Sequence, residues 1–232
     1  MTAMSSPPAS PPADAAGRRT AVVVAGHSGH SETVRAHIDD VDPTVRSSAI
    51  SALVRLGELG DADLLAALGD GGTARRAIEL SAHHGTEATT IDDRLRAFVA
   101  GADPDLAEVA AWALGERWQE RGDEPGSEAV LGAVEWAARC HDDALVREAA
   151  VAALGASGAT GSIPVIIDAM NDKATVRRRA VIALAPFDGP EVEAALVSAL
   201  GDRDWQVRQA AEDLSAAGPP DDDPAGVPPT RP

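Results

Sequence analysis

One short phrase recurs six times in this 232-residue chain: an acidic turn, then a run that often carries an apolar residue followed by arginine. The copies read DPTVRSSAISAL (42–53), DGGTARRAIELS (70–81), DPDLAEVAAWAL (103–114), DALVREAAVAAL (143–154), KATVRRRAVIAL (173–184) and DWQVRQAAEDLS (204–215). Anchored on Val45, Thr73, Leu106, Val146, Val176 and Val207, successive copies lie 28, 33, 40, 30 and 31 residues apart. A period of that size is the signature of a stacked repeat, in which each unit buries its apolar face on its neighbours.

Each phrase has a helical period. Counting from the anchor, apolar or small residues fall at 0, +4, +7 and often +8, as in Val45, Ala49, Ala52, Leu53 and again in Val146, Ala150, Ala153, Leu154. That spacing marks one face of an α-helix. Asp42 and Asp103 suit the N-cap, with Pro43 and Pro104 at the first helical position. A second helix is predicted before each phrase, over 32–39, 61–68, 91–100, 127–140, 163–170 and 191–200. The unit is therefore helix A, an acidic turn, then helix B. RRTAVVVAGH (18–27) reads as a lone B helix capping the N-terminal end, and WQERGDEPGSE (118–128) as a longer loop.

The expectation is an all-α fold, an α-α superhelix of about six helix pairs. Three segments follow: a disordered Pro/Ser/Ala tail at 1–16, the repeat domain at 17–216 and a disordered acidic, proline-rich tail at 217–232. Aromatic residues make up only 3% of the chain, which suits a stack whose small alanines let neighbouring helices approach closely.

The pattern resembles HEAT repeats, specifically the short type named after the phycobilisome lyase. The likeness is carried by Asp42, Val45, Arg46, Ala49; Asp143, Val146, Arg147, Ala150; Val176, Arg177, Ala180; and Asp204, Val207, Arg208, Ala211. It spans roughly residues 18–216. The resemblance implies that Asp and Arg stitch successive turns together. Repeats two and three depart from it, with Thr73-Ala74 and Leu106-Ala107 at the anchor. From the residues themselves, Arg46, Arg147, Arg177 and Arg208 are expected to form a structural ladder with Asp42, Asp143, Asp172 and Asp202 or Asp204, acids four to six positions earlier.

A net charge of −17 argues against nucleic acid and anionic membranes as partners. No apolar run approaches the ~20 residues that span a bilayer. Cys140 is the only cysteine, so no internal disulfide forms, in keeping with a cytoplasmic location.

GHSGH (26–30) after Val22–Val24 superficially resembles the nucleophile elbow of a hydrolase, but His30 stands where that pattern has glycine and no alternating strands follow. Histidines 27, 30, 83 and 84 lack the further ligands of a zinc site, and the histidine–glutamate pairs of the metal-binding HEAT hydroxylases are absent. No phosphate loop or dinucleotide fingerprint occurs. No catalytic residue, metal or cofactor is therefore assigned.

On helix B, positions +2, +3 and +6 point away from the core stripe. They place Arg75, Arg76, Glu79, Glu108, Trp112, Glu148, Arg178 and Arg179 on one mixed-charge face. Trp and Arg dominate binding hot spots. Trp118, Trp136 and Trp205 are expected to be structural. The chain reads as a non-catalytic scaffold or adaptor that binds a protein or peptide on the concave face of its B helices. The alternative is a HEAT-like enzyme, an alkyl-DNA glycosylase or a bilin lyase subunit. A glycosylase calls for a uniformly basic face, which Glu108 and Glu148 interrupt.

Overall fold

The computed structural model describes residues 14–216, except 87, 123 and 125. Both tails read from the sequence therefore lie outside the described residues, apart from positions 14–16. Asp14 caps the first helix by accepting from the Gly17 amide, so helix begins at Ala15, two residues ahead of the expected boundary.

Thirteen α-helices and no strand occur among the described residues. They are α1 (Ala15–Ser28), α2 (Ser31–Arg35), α3 (Pro43–Leu56), α4 (Asp61–Gly69), α5 (Ala74–Ser81), α6 (Ala88–Val99) and α7 (Pro104–Arg121). Then come α8 (Ser127–Cys140), α9 (Ala144–Ser157), α10 (Ile163–Asp168), α11 (Ala174–Ala183), α12 (Pro190–Ala199) and α13 (Trp205–Ala216). Short 3₁₀ turns flank α10. The even-numbered helices are the A helices. The odd ones from α3 onward are the B helices, and α1 is the N-terminal cap packed on α3. The fold is all-α, built of HEAT-like helix pairs.

Two compact units divide the chain, one ending at Ala133 and one starting at Val134. In the first, α2 packs on α3, α4 on α5 and α6 on α7, while α3, α5 and α7 follow one another. In the second, α10 packs on α11 and α12 on α13, with α9, α11 and α13 in succession.

The predicted stripes are the core. Val45, Ala49, Ala52 and Leu53 are fully buried with Val22, Ala25 and Val34 of α1 and α2. Val146, Ala150 and Leu154 are buried in the second unit, as are Val176, Ala180 and Leu184. Each large side chain so enclosed contributes about 1.5–3 kcal/mol through removal from water. The third copy is displaced by one position: Leu106 is only half-buried and Ala107 takes the inward place.

Two glycines record how closely helices approach. A Cβ added to Gly26 would lie 2.7 Å from Ala52 Cβ, and one added to Gly155 would lie 2.7 Å from the Ala183 backbone. Both sit near the end of one helix where it crosses the next of its row. Asp42 and Asp103 cap their helices as the sequence predicts, and Asp143 is a third cap of the same kind. Asp42, Asp103 and Asp143 each accept from backbone amides of the first turn, with Pro43 and Pro104 at its start. The expected loop from 118 is shorter, because α7 continues through Arg121.

Candidate protein-binding surface

The recurring arginines of the phrase are fixed by two sets of partners. Arg147 donates to the carbonyls of His141 and Asp142 in its own turn, at 2.7 and 2.9 Å. Its other edge meets the Asp172 carboxylate of the next repeat through two bonds, at 2.6 and 2.8 Å. Arg177 repeats the arrangement with the Asp172 carbonyl and the Asp202 carboxylate, and Arg46 with the Asp40 and Val41 carbonyls and the Asp70 carboxylate. Arg208 donates to the Asp202 carbonyl. In α1, Arg18 forks onto Asp40. A planar guanidinium supplies this double-sided geometry, which an ammonium does not.

These contacts correct the residue-level expectation for the ladder. The acids of the same turn, Asp42 and Asp143, are occupied as helix caps. The carboxylate that each arginine meets lies about a repeat ahead: 24 residues for Arg46–Asp70, and 25 for Arg147–Asp172 and Arg177–Asp202. The stitching of successive turns that the resemblance implies does occur. Hydrogen bonds from arginine hold these carboxyls below the usual carboxylate range: Arg46 acts on Asp70, Arg147 on Asp172, Arg177 on Asp202, and Arg18 draws Asp40 down to about 2.

A further link was not legible from the phrase. Buried Arg117 bonds Asp92 at 2.5 Å and the carbonyls of Ser81 and His84, while Arg121 takes the other Asp92 oxygen at 2.5 Å. Its separation of 25 residues, with acid and base exchanged in order, is the signal in the sequence. This network serves the repeats whose anchors lack arginine. Thr73 stands in at the second copy, donating its hydroxyl to the Ala67 carbonyl.

The outward rows of the B helices form one face in each unit. In the first, Arg76 donates to Ser51 Oγ and to Glu79, both at 2.8 Å. Arg75 reaches Glu79 at 3.7 Å and donates to the Asp105 carbonyl at the start of α7. Glu108 and Trp112 continue the row along α7, both exposed. Trp112 is 38% exposed and meets the edge of His83, whose Nδ1 lies 2.7 Å from Glu120. In the second unit, Arg179 lies 3.4 Å from Glu148, and Arg178 is exposed beside Ile182. The eight predicted residues thus fall into two groups, five on the first unit and three on the second. Within the same rows, Val109 and Ala210 turn inward and are buried.

Each face is concave locally. A cleft of about 560 Å³ in the first unit is lined by Arg19, Ser47, Arg55, Arg75, Arg76 and Glu79, among others. Arg19 and Arg55 were missed by the sequence reading. Arg55 continues the stripe Ser48, Ser51 along α3, and that spacing is the signal that identifies it. In the second unit a cleft of about 350 Å³ is bounded by Arg178, Ile182, Trp205, Gln209 and Leu214. Trp205 is 64% exposed and Trp136 44%, so neither is the core residue expected; Trp118 is half-buried. Trp205 starts the terminal B helix on its outer side, and Trp136 leans on the edge of His141.

GHSGH has a structural explanation. Gly26 permits the close approach to Ala52, Ser28 ends α1, and Gly29 closes the helix in the left-handed region with φ 79°. Among the described residues, no group of three or more His, Cys, Asp or Glu is placed to hold a metal ion. No described helix is long and apolar enough to cross a membrane.

Stacked helix pairs with capped acidic turns and arginine links between turns define an α-helical repeat protein. Residues 91–185 match the family model for HEAT repeats, which supports HEAT-type repeats in this chain. Among solved structures, Escherichia coli YibA is similar with a TM-score of 0.59 and 17% identity, covering 78% of this chain and 67% of that one. Human deoxyhypusine hydroxylase, solved in complex with glycerol, gives a TM-score of 0.45 and 18% identity over 88% of this chain and 80% of that one. No curated protein sequence matches the chain. At such identities the likeness to YibA is one of fold.

Proposed function

We propose that this protein is a non-catalytic interaction module that binds a protein or peptide on the outward face of its B helices, in a cytoplasmic setting. The observation that carries this reading is Trp112. It is a large, partly exposed aromatic on α7, in a row with Glu108 and following the Arg75–Arg76–Glu79 cluster of α5. An aromatic anchor among paired charges is the arrangement of a polypeptide-binding hot spot. The carboxyls with lowered pKa support the absence of catalysis. Asp40, Asp42, Asp172 and Asp202 sit at repeat turns, engaged by helix caps or arginines and outside the two clefts of the outward faces; Asp70 borders a smaller pocket beside α4, where Arg46 bonds it. Perturbed groups in an enzyme gather instead around a reacting centre.

Affinity capture from the native cell supplies the partner, and binding is then measured with purified proteins. Trp112→Ala is expected to weaken it by about 2 kcal/mol or more. Arg178→Glu should act through the association rate and salt dependence. Wild-type affinity in both folded variants moves the interface elsewhere. Tight, salt-sensitive binding of DNA by the wild type would overturn the reading in favour of a glycosylase.

A further inference from the structure

We propose that the cleft of the first unit, between α1, α3 and α5, receives an extended acidic peptide segment whose carboxylates dock on Arg19, Arg55, Arg75 and Arg76. The proposal rests on the reading of the B-helix face as a binding surface and specifies the chemistry of what one part of it takes.

Charge is the first observation. Acidic residues outnumber Lys and Arg by 37 to 20 in the chain, yet four arginines line this cleft against one carboxylate, Glu79. The arginines at the repeat turns are treated differently. Arg18 and Arg46, close by on the same helices α1 and α3, each have an aspartate of their own. In the cleft, Arg75 and Arg76 share Glu79, and Arg19 and Arg55 have no acidic partner among the described residues. Grouping like charges without neutralising them is unfavourable, and an incoming anion relieves that repulsion.

The walls favour a polypeptide over a bare anion or a nucleic-acid strand. Val23, 39% exposed, and Pro43 border the same cleft and offer apolar contact beside the guanidiniums. Ser47, Ser48 and Ser51 form its floor along α3. The Ser51 hydroxyl is held between the Ser47 carbonyl and Arg76, which fixes that guanidinium toward the cleft. Arginine forks match carboxylates with two parallel bonds. A long phosphodiester would run from this local patch into the field of a protein with net charge −17, whereas a short acidic segment has to occupy only the patch.

The test uses the full chain and a fluorescent eight-residue peptide carrying four glutamates, with a four-glutamine analogue as control. The glutamate peptide should bind at least tenfold more tightly than the analogue and weaken as salt rises. Arg19→Gln with Arg55→Gln should reduce its affinity at least tenfold, and among the described residues these side chains make no ion pair whose loss would unfold the protein. Glu79→Gln removes the competing carboxylate and should raise affinity two- to fivefold, a gain that misfolding cannot mimic. Arg203→Gln, in the second unit, serves as the unchanged control. Equal binding of the two peptides overturns the proposal, as does wild-type affinity in the Arg19/Arg55 variant or a loss of affinity in Glu79→Gln. Displacement of the peptide by an oligothymidylate of equal charge at equal concentration also overturns it, in favour of a phosphate-backbone site. If the acidic peptide fails while Trp112→Ala still abolishes binding of a captured partner, this inference falls and the proposed function stands.

Discussion

Arg147 holds two turns at once, its own through carbonyls and the following one through Asp172. Hydrogen bonds to charged groups are worth about 1.5–3 kcal/mol, so Arg147→Ala should lower stability in urea unfolding by about that amount. Arg147→Lys should recover only part of it, since an ammonium cannot reproduce the fork. Acid should act on the same contacts from the other side. Asp70, Asp172 and Asp202 titrate below their ordinary value in the folded protein because arginines bond them, and Asp40 falls to about 2. Their stabilisation is complete above the unfolded carboxyl value of roughly 4 and is lost as pH falls through the lowered folded values. The urea midpoint should therefore drop from about pH 4 toward pH 2, and Asp172→Asn should show a shallower drop than the wild type. The ladder also shows where sequence reading stops. The arginines were legible by position, but their partners were assigned by nearness along the chain. The acids of the same turn were already committed to helix caps, a competition that only the folded turn reveals.

Helix limits were the most legible part, because Asp-Pro starts and the stripe of Val, Ala and Leu act locally. What crosses between helices was less so. Gly155 reads as an unremarkable small residue until α9 is seen against Ala183 of α11. Gly155→Ala should force those helices apart and cost about 1–3 kcal/mol by overpacking. Leu154→Ala, one residue earlier and fully enclosed, should cost about 2–5 kcal/mol by the opposite fault, a cavity. Denaturant melts of the two variants check both. Comparable losses from adding one methyl group and from removing a large part of a side chain would show how little slack this crossing has. The binding face was half legible. The rows on α5, α7, α9 and α11 followed from helical phase, but Arg19 enters the cleft from the cap helix, which carries no copy of the phrase. Trp205 was misjudged because a tryptophan in an aromatic-poor chain suggests core, whereas this one starts α13 and stands 64% exposed beside Arg178 and Gln209.

At the scale of the molecule, packing is dominated by neighbours, and the chain resolves into two compact units. Loosening one should remain local. Leu154→Ala is expected to speed amide hydrogen exchange across α9, α11 and α13 while α1, α3 and α5 exchange as in the wild type; uniform acceleration along the chain would indicate a single cooperative unit. The arginine links carry a different consequence, for how such a chain can change length. A link joins residues 24 or 25 positions apart, so a few residues inserted between its ends would pull donor from acceptor. An in-frame duplication of one whole repeat brings a complete link with it. Small insertions are tolerated in the intervals that no link spans among the described residues, and residues 126–134, ahead of the Glu135–Ser162 and Arg139–Asp168 contacts, lie in one of them. The exceptional step of 40 residues, from Leu106 to Val146, includes that interval. The stitching is thus also a reading frame, one that admits growth by whole repeats and confines smaller insertions to the gaps between its stitches.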